Sequence, residues 1–270
     1  MDFNVSLRGE TCKLKMPSAL NERRKKMLNT ILFDLDGTLL PMDLKAFENL
    51  YFGAMVGYLA DLTGPQELVK NIWASTAAMI KNTEHKTNEE VFMEDFKTRI
   101  PGDIEVYKER FNKFYDTEFL KAKAAVSENK LIQESVKLLK IKGYKLVIAT
   151  NPLFPLKAIH HRIRWAGFEP SEFEYIACYQ QNHYCKPQLK YYEEILKDIK
   201  KTPKECMMVG NDVQEDIIAG KLGLKTFLIT DCLLHRTEDE IAADYQGDYE
   251  SFLKFAKELP SLNEQLTMNN

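Results

Sequence analysis

Cysteine is scarce and unpatterned in this chain. The 270 residues contain five (Cys12, Cys178, Cys185, Cys206 and Cys232), an odd number with no Cys-x-x-Cys pair, which argues against a disulfide framework or a structural zinc site and for reduced thiols in a cytoplasmic setting. An excess of charge of one sign is also missing. Thirty-seven Lys and Arg stand against forty Asp and Glu, for a net charge of -3, so no nucleic-acid partner is expected. No apolar run approaches the roughly twenty residues that a membrane-spanning helix needs, and residues 1–26 lack the apolar core of a signal peptide. What is present, 44% hydrophobic and 29% charged residues, is the composition of a globular protein with room for a large domain and a smaller one. Residues 1–26, closing on Arg23-Arg24-Lys25-Lys26 before Met27, read as a solvated, dispensable extension.

The stretch Ile31-Leu32-Phe33-Asp34-Leu35-Asp36-Gly37-Thr38-Leu39-Leu40 organises the remainder. Ile31–Phe33 form an apolar run suited to a central parallel strand. The carboxylates that follow fall where that strand should end, the place where open α/β sheets bind ligands. Gly37 allows a sharp turn there. Two carboxylates two residues apart repel unless a cation lies between them, and a hard divalent ion with oxygen ligands, magnesium first, answers that need.

From Met42 to Val126 apolar residues recur at helical spacing, with breaks at Gly64-Pro65 and Pro101-Gly102, and no strand is expected. The stripe Phe92, Met93 and Phe96 reads as the interior of this helical block. Beyond Val126 helices and strands alternate. Helices are expected over 131–142, 156–166, 188–200, 213–222 and 251–259, strands over 145–149, 206–209 and 226–229, and a loose tail from Pro260. Such alternation implies crossover units, hence a parallel sheet with helices on both faces.

Three more strand ends carry polar groups. Thr150-Asn151 follows Leu146–Ala149, Lys186-Pro187 stands ahead of a helix, and Gly210-Asn211-Asp212, with Asp216 beyond, follows Met207–Val209. A hydroxyl and a fixed ammonium can hold phosphate oxygens, and the last segment offers oxygen ligands for a cation. Cys185 beside Lys186 is not assigned as a nucleophile, and His160, His161 and His183 are given surface and packing roles.

Asp-x-Asp-Gly-Thr, then a threonine, then Lys-Pro, then an acidic Gly-Asn-Asp stretch resembles the four-motif pattern of the haloacid dehalogenase superfamily, across roughly residues 28–40 and 127–235. The resemblance implies an α/β fold with a Rossmann-like three-layer parallel-sheet core over 27–41 and 127–260, an all-helical cap over 42–126 and a tail over 261–270. It further implies a magnesium-dependent phosphatase acting on a small phosphorylated metabolite. Asp34 is then the nucleophile, Asp36 the acid and base, and Lys186 the group holding nucleophile and phosphate, with Thr38, Thr150 and Asn151 on the phosphoryl oxygens. Magnesium falls to Asp34, Asp36 and Asp212, with Asn211 a further donor and Asp216 orienting Lys186 or supporting from behind. Asn211 departs from the family pattern, in which an aspartate follows the glycine. A sugar-phosphate mutase shares all these residues, a haloacid-cleaving relative needs neither magnesium nor Asp36, and a phosphonate-cleaving one needs a cap lysine, for which Lys45 and Lys81 are candidates. A binding protein on the same fold is the reading from outside enzymology. Oligomeric state is not encoded in these motifs.

Overall fold

The computed structural model describes residues 27–263, so the N-terminal extension and the last seven residues lie outside it. The run Thr30–Phe33 is strand β1, entirely buried. Four helices follow: α1 (Leu44–Tyr58), α2 (Pro65–Lys81), α3 (Asn88–Lys97) and α4 (Ile104–Asp116), then a 3-10 segment, Glu118–Ala125. The rest alternates as α5 (Lys130–Ile141), β2 (Lys145–Ile148), α6 (Leu156–Trp165), β3 (Tyr175–Ile176), α7 (Leu189–Asp198), β4 (Cys206–Gly210), β5 (Lys225–Ile229), β6 (Tyr245–Gly247) and α8 (Tyr249–Glu258).

All six strands run parallel in the order β3-β2-β1-β4-β5-β6. Parallel strands must be joined by crossovers, and covering both faces makes their sequences nearly continuously apolar. Ile31 and Phe33 point to a face covered by α5, α6 and α8, where Val136, Ile163 and Phe252 are buried. Leu32, Val147 and Met208 point to the opposite face against Tyr191, Tyr192 and Ile195 of α7. The molecule is thus a three-layer α/β structure, as its alternation implies.

The order reverses between β1 and β4, the switch point where loops diverge and open a crevice beyond the carboxyl ends. Register fixes what stands there. Phe33 pairs with both Ile148 and Val209, which brings Asp34 level with Ala149 and Gly210, one residue short of Thr150 and Asn211.

The helical insertion leaves and returns through adjacent connections. Met42 and Val126 form an antiparallel bridge, and Ser127 donates its N–H to Pro41 O at 3.0 Å. Local chemistry sets its helix starts: Pro65 opens α2, and Thr87 and Glu90 form a reciprocal capping box on α3. Phe47, Phe96, Phe114 and Phe119 fill its interior, contiguous with the core on the α5–α6–α8 face.

Three expectations need correction. The helix over 213–222 shrinks to a 3-10 segment, Ile217–Leu222, because Asp212 Oδ1 accepts from Gln214 N and Glu215 N at 3.0 and 2.9 Å and holds the preceding residues in a turn. The loose tail does not begin at Pro260: Leu262 N bonds to Lys142 O at 2.8 Å and the Asn263 amide reaches Ile141 O. The stripe Phe92, Met93, Phe96 serves two surfaces: Met93 and Phe96 are buried in the interior, while Phe92, half-buried, and one side of Met93 line a cavity wall.

Candidate active site

At the switch point the strand ends converge on buried charge. Lys186 is 1% exposed, yet its Nζ donates to Asp34 Oδ1 at 2.9 Å and Asp216 Oδ1 at 2.6 Å. Burial works against its charge, but the two carboxylates outweigh burial and hold the ammonium well above its ordinary pKa. The ring of Tyr191 lies 5.9 Å from Nζ. Asp216 is pushed up by burial, against the opposing pull of Lys186. Its Oδ2 accepts from Asp212 N at 2.9 Å. A side chain at Gly210 would collide with Asp216, so only glycine lets this carboxylate reach the lysine.

No other hydrogen bond reaches the Asp34 carboxylate among the described residues, and it lines a cavity of about 300 Å³ beyond the strand ends. Thr150 lines it too, its hydroxyl without a hydrogen-bond partner among those residues. Tyr191 and Tyr192 anchor the floor from below, donating to Thr150 O and Glu215 O, each at 2.6 Å.

Asp36 makes a contact not foreseen from the sequence. Its Oδ2 pairs with Arg162 Nη1 of α6, while Asp36 Oδ1 and Arg162 Nη2 are buried without partners. The guanidinium lies 4.4 Å over the Phe154 ring. Burial raises the pKa of Asp36, as does neighbouring Asp34, with Arg162 opposing. A signal for Arg162 existed: it shares the α6 stripe of Ala158, Ile159, Ile163 and Ala166, all buried, where a charge needs a partner.

The other expected residues divide. Asn151 lines the cavity, but its amide donates to Glu215 Oε2 at 3.1 Å and its Oδ1 accepts from Lys186 N at 3.2 Å, so it braces the lysine loop. Thr38 is fully buried and gives its hydroxyl to Asn211 Oδ1 at 2.8 Å, while Asn211 Nδ2 donates to Cys232 O at 2.7 Å. The expectation that Thr38 touches phosphate is therefore corrected, since its hydroxyl is turned from the cavity onto Asn211. Asn211 itself lines the cavity, with its Oδ1 accepting that hydroxyl. The pair ties the β1 loop to the β4 loop, and Gly37, at φ +84°, has no room for a Cβ against Asn211. Asp212 Oδ2 meets Arg236 Nη2 at 2.6 Å. Lys45 and Lys81 are exposed and lie off the cavity. Cys185 is buried, which pushes its thiol up, against any nucleophilic role.

Five carboxylates (Asp34, Asp36, Asp212, Glu215 and Asp216) line the cavity floor, and the cations touching them are Arg162, Lys186 and Arg236. Glu215, unremarked in the sequence, is also raised by burial. A surplus of hard oxygen donors over cations suits a divalent ion such as magnesium, although among the described residues no three His, Cys, Asp or Glu side chains already stand in ligating positions.

Comparison with known proteins agrees with this arrangement. Over 223 residues the chain is 26% identical to pyrophosphatase PpaX of Anoxybacillus flavithermus, covering 82% of this chain and 91% of that one. The fold is similar to CbbY of Rhodobacter sphaeroides, solved with xylulose-(1,5)-bisphosphate (TM-score 0.52, 18% identity, 83% of this chain and 96% of that one). It is similar also to the magnesium-bound putative hydrolase YfnB of Bacillus subtilis (TM-score 0.51, 16% identity, 90% and 99%). With a family model matching residues 28–223 over the very loops that build this floor, the chain belongs to the haloacid dehalogenase-like hydrolases.

Proposed function

We propose that the protein is a magnesium-dependent phosphatase that cleaves a small phosphate monoester through an aspartyl-phosphate on Asp34. The observation that carries this reading is the Asp34 carboxylate, open to the cavity on a strand end and braced from behind by a buried lysine. A phosphate ester repels an attacking carboxylate, so the floor must place positive charge around the transferred group. Lys186 supplies one such charge, and magnesium held by Asp34, the Asp36 carbonyl and Asp212 would supply the rest.

In the first step an Asp34 oxygen bonds to phosphorus as the ester P–O bond breaks, and Asp36, whose raised pKa suits it to carry a proton, gives that proton to the leaving oxygen. In the second, Asp36 takes a proton from water, whose oxygen bonds to phosphorus as the bond to Asp34 breaks. Thr150 orients the phosphoryl oxygens, Asp216 orients Lys186, and Asn151 braces the lysine loop. The helical block over 42–126 acts as a cap on a core formed by 27–41 and 127–260. The four cysteines among the described residues, Cys178, Cys185, Cys206 and Cys232, are free thiols, which suits a reducing compartment such as the cytoplasm. A haloacid-cleaving enzyme would leave Asp36 and the acidic cluster without a task.

The test is phosphate release from a panel of phosphoesters, with and without magnesium, by wild type and Asp34→Asn. Release that needs magnesium and vanishes in the variant is expected; equal release by the two proteins, or none from any ester, refutes the assignment.

A further inference from the structure

The cavity has two chemically different halves. Its floor is the charged cluster from the core. Its walls come from the helical insertion and carry hydrocarbon: Phe47, Phe52 and Met55 of α1, Trp73 of α2, Phe92 of α3 and Phe111 of α4. Among the described residues no lysine or arginine of the insertion lines the space, and Arg236, the one cation on the lining, belongs to the floor and is paired with Asp212. The polar groups of the walls are few. The Tyr51 and Tyr115 hydroxyls bond each other at 3.0 Å, one donating and the other accepting, and the rest are mainly Thr76 and an acid, Glu48.

These walls discriminate among phosphate esters. A second phosphate would enter a space with no cation on its walls and one carboxylate. A sugar would bury hydroxyls against aromatic rings that offer them no partners, and unpaired buried polar groups are penalised. A hydrocarbon group would lose only water. Trp73 stands at the rim, 49% exposed, with its ring 5.4 Å from Phe52.

Resting on the phosphatase reading above, we propose that the substrate is a monophosphate of an apolar alcohol or phenol, its hydrocarbon part held by the aromatic walls and its phosphate on the floor, and that sugar phosphates, bisphosphates and pyrophosphate are discriminated against.

Binding is measured by titrating Asp34→Asn with phenyl phosphate, hexyl phosphate, glycerol phosphate, glucose 6-phosphate and pyrophosphate, read by calorimetry and by intrinsic fluorescence, to which Trp73 and Trp165 both contribute. Wild-type kcat/KM is measured on the same compounds. Phenyl and hexyl phosphate are expected to bind at least tenfold tighter than the others and to lead the kcat/KM ranking. Phe92→Ala, at a half-buried wall position, should weaken the two apolar esters several-fold and leave glycerol phosphate unchanged. Thr76→Arg, folding confirmed by circular dichroism, should narrow the gap by admitting pyrophosphate. Equal or tighter binding of glucose 6-phosphate or pyrophosphate to the parent protein overturns the proposal. Turnover with the ranking inverted would refute the substrate class alone; the binding ranking intact without turnover of any ester would refute the phosphatase reading alone.

Discussion

Removing Arg162 isolates one charge and lets its cost be read. In Arg162→Met the apolar stem is retained beneath Phe154 while the guanidinium is lost. Deleting one partner of a buried ion pair costs about 3–5 kcal/mol, because the other charge is left uncompensated. Asp36 keeps 27% side-chain exposure against 1% for Arg162, so cavity water solvates the orphaned carboxylate and the loss should fall near the low end, about 3 kcal/mol at pH 8. For a chain of this size that corresponds to a drop in Tm of roughly 6–12 °C. The sign of the pH dependence follows from the same charge. Burial already raises Asp36 in the folded state with Arg162 opposing; without the arginine it rises further, so the folded variant binds a proton that the unfolded chain, with a carboxyl near about 3.9, releases. The penalty is absent below that unfolded value, grows as pH rises and levels off above the folded one. Thermal denaturation of wild type and variant with EDTA present, from pH 4.5 to 8, should show the Tm gap widening with pH. A gap of constant size across that range would mean that Arg162 acts by packing alone, and the argument would fail.

Two further changes probe the floor. Gly210→Ala places a methyl where Asp216 now lies, so Asp216 should be displaced from Lys186 and kcat should fall at least about tenfold; a variant with wild-type kcat would show that the Asp216 contact is unimportant to turnover. Arg236→Ala frees Asp212 Oδ2, and magnesium should then bind several-fold more tightly by calorimetry, because the cation no longer competes with a guanidinium; weaker binding would place Asp212 outside the ligand set.

The groups readable in the sequence share one property. Asp34, Asp36, Thr150 and Asp212 stand within a few residues of the ends of apolar strands, with Asp216 further along the β4 loop, and in a parallel sheet a strand end is already an address in space. Lys186 is readable through its position before a helix. Arg162 belongs to a helix whose periodicity marks its face but not the partner across it. Arg236 lies in the long connection between β5 and β6, where no period exists, and its meeting with Asp212 is set entirely by tertiary folding. The edge strands β3 and β6 span two and three residues, too short for any alternation to register, so the sheet shows six strands where the sequence indicates fewer. Asn211 reads as a ligand because its amide oxygen has the right chemistry; that the Thr38 hydroxyl packs against this oxygen is set by tertiary folding.

The same distinction separates chemistry from substrate. The floor is built mostly by loops that leave the carboxyl ends of neighbouring parallel strands, so a linear motif carries nearly all of its content. The walls come from four helices whose apolar stripes serve two surfaces at once: Phe96 faces the interior of the insertion, while Phe92, four residues earlier, faces the cavity. Periodicity identifies such a stripe without saying which of its residues turns to the ligand, because one helical turn separates a core position from a wall position. Specificity in this chain is therefore a property of helix rotation and docking, and a change of a few wall residues can alter the ester recognised while leaving Asp34, Lys186 and the acidic cluster untouched.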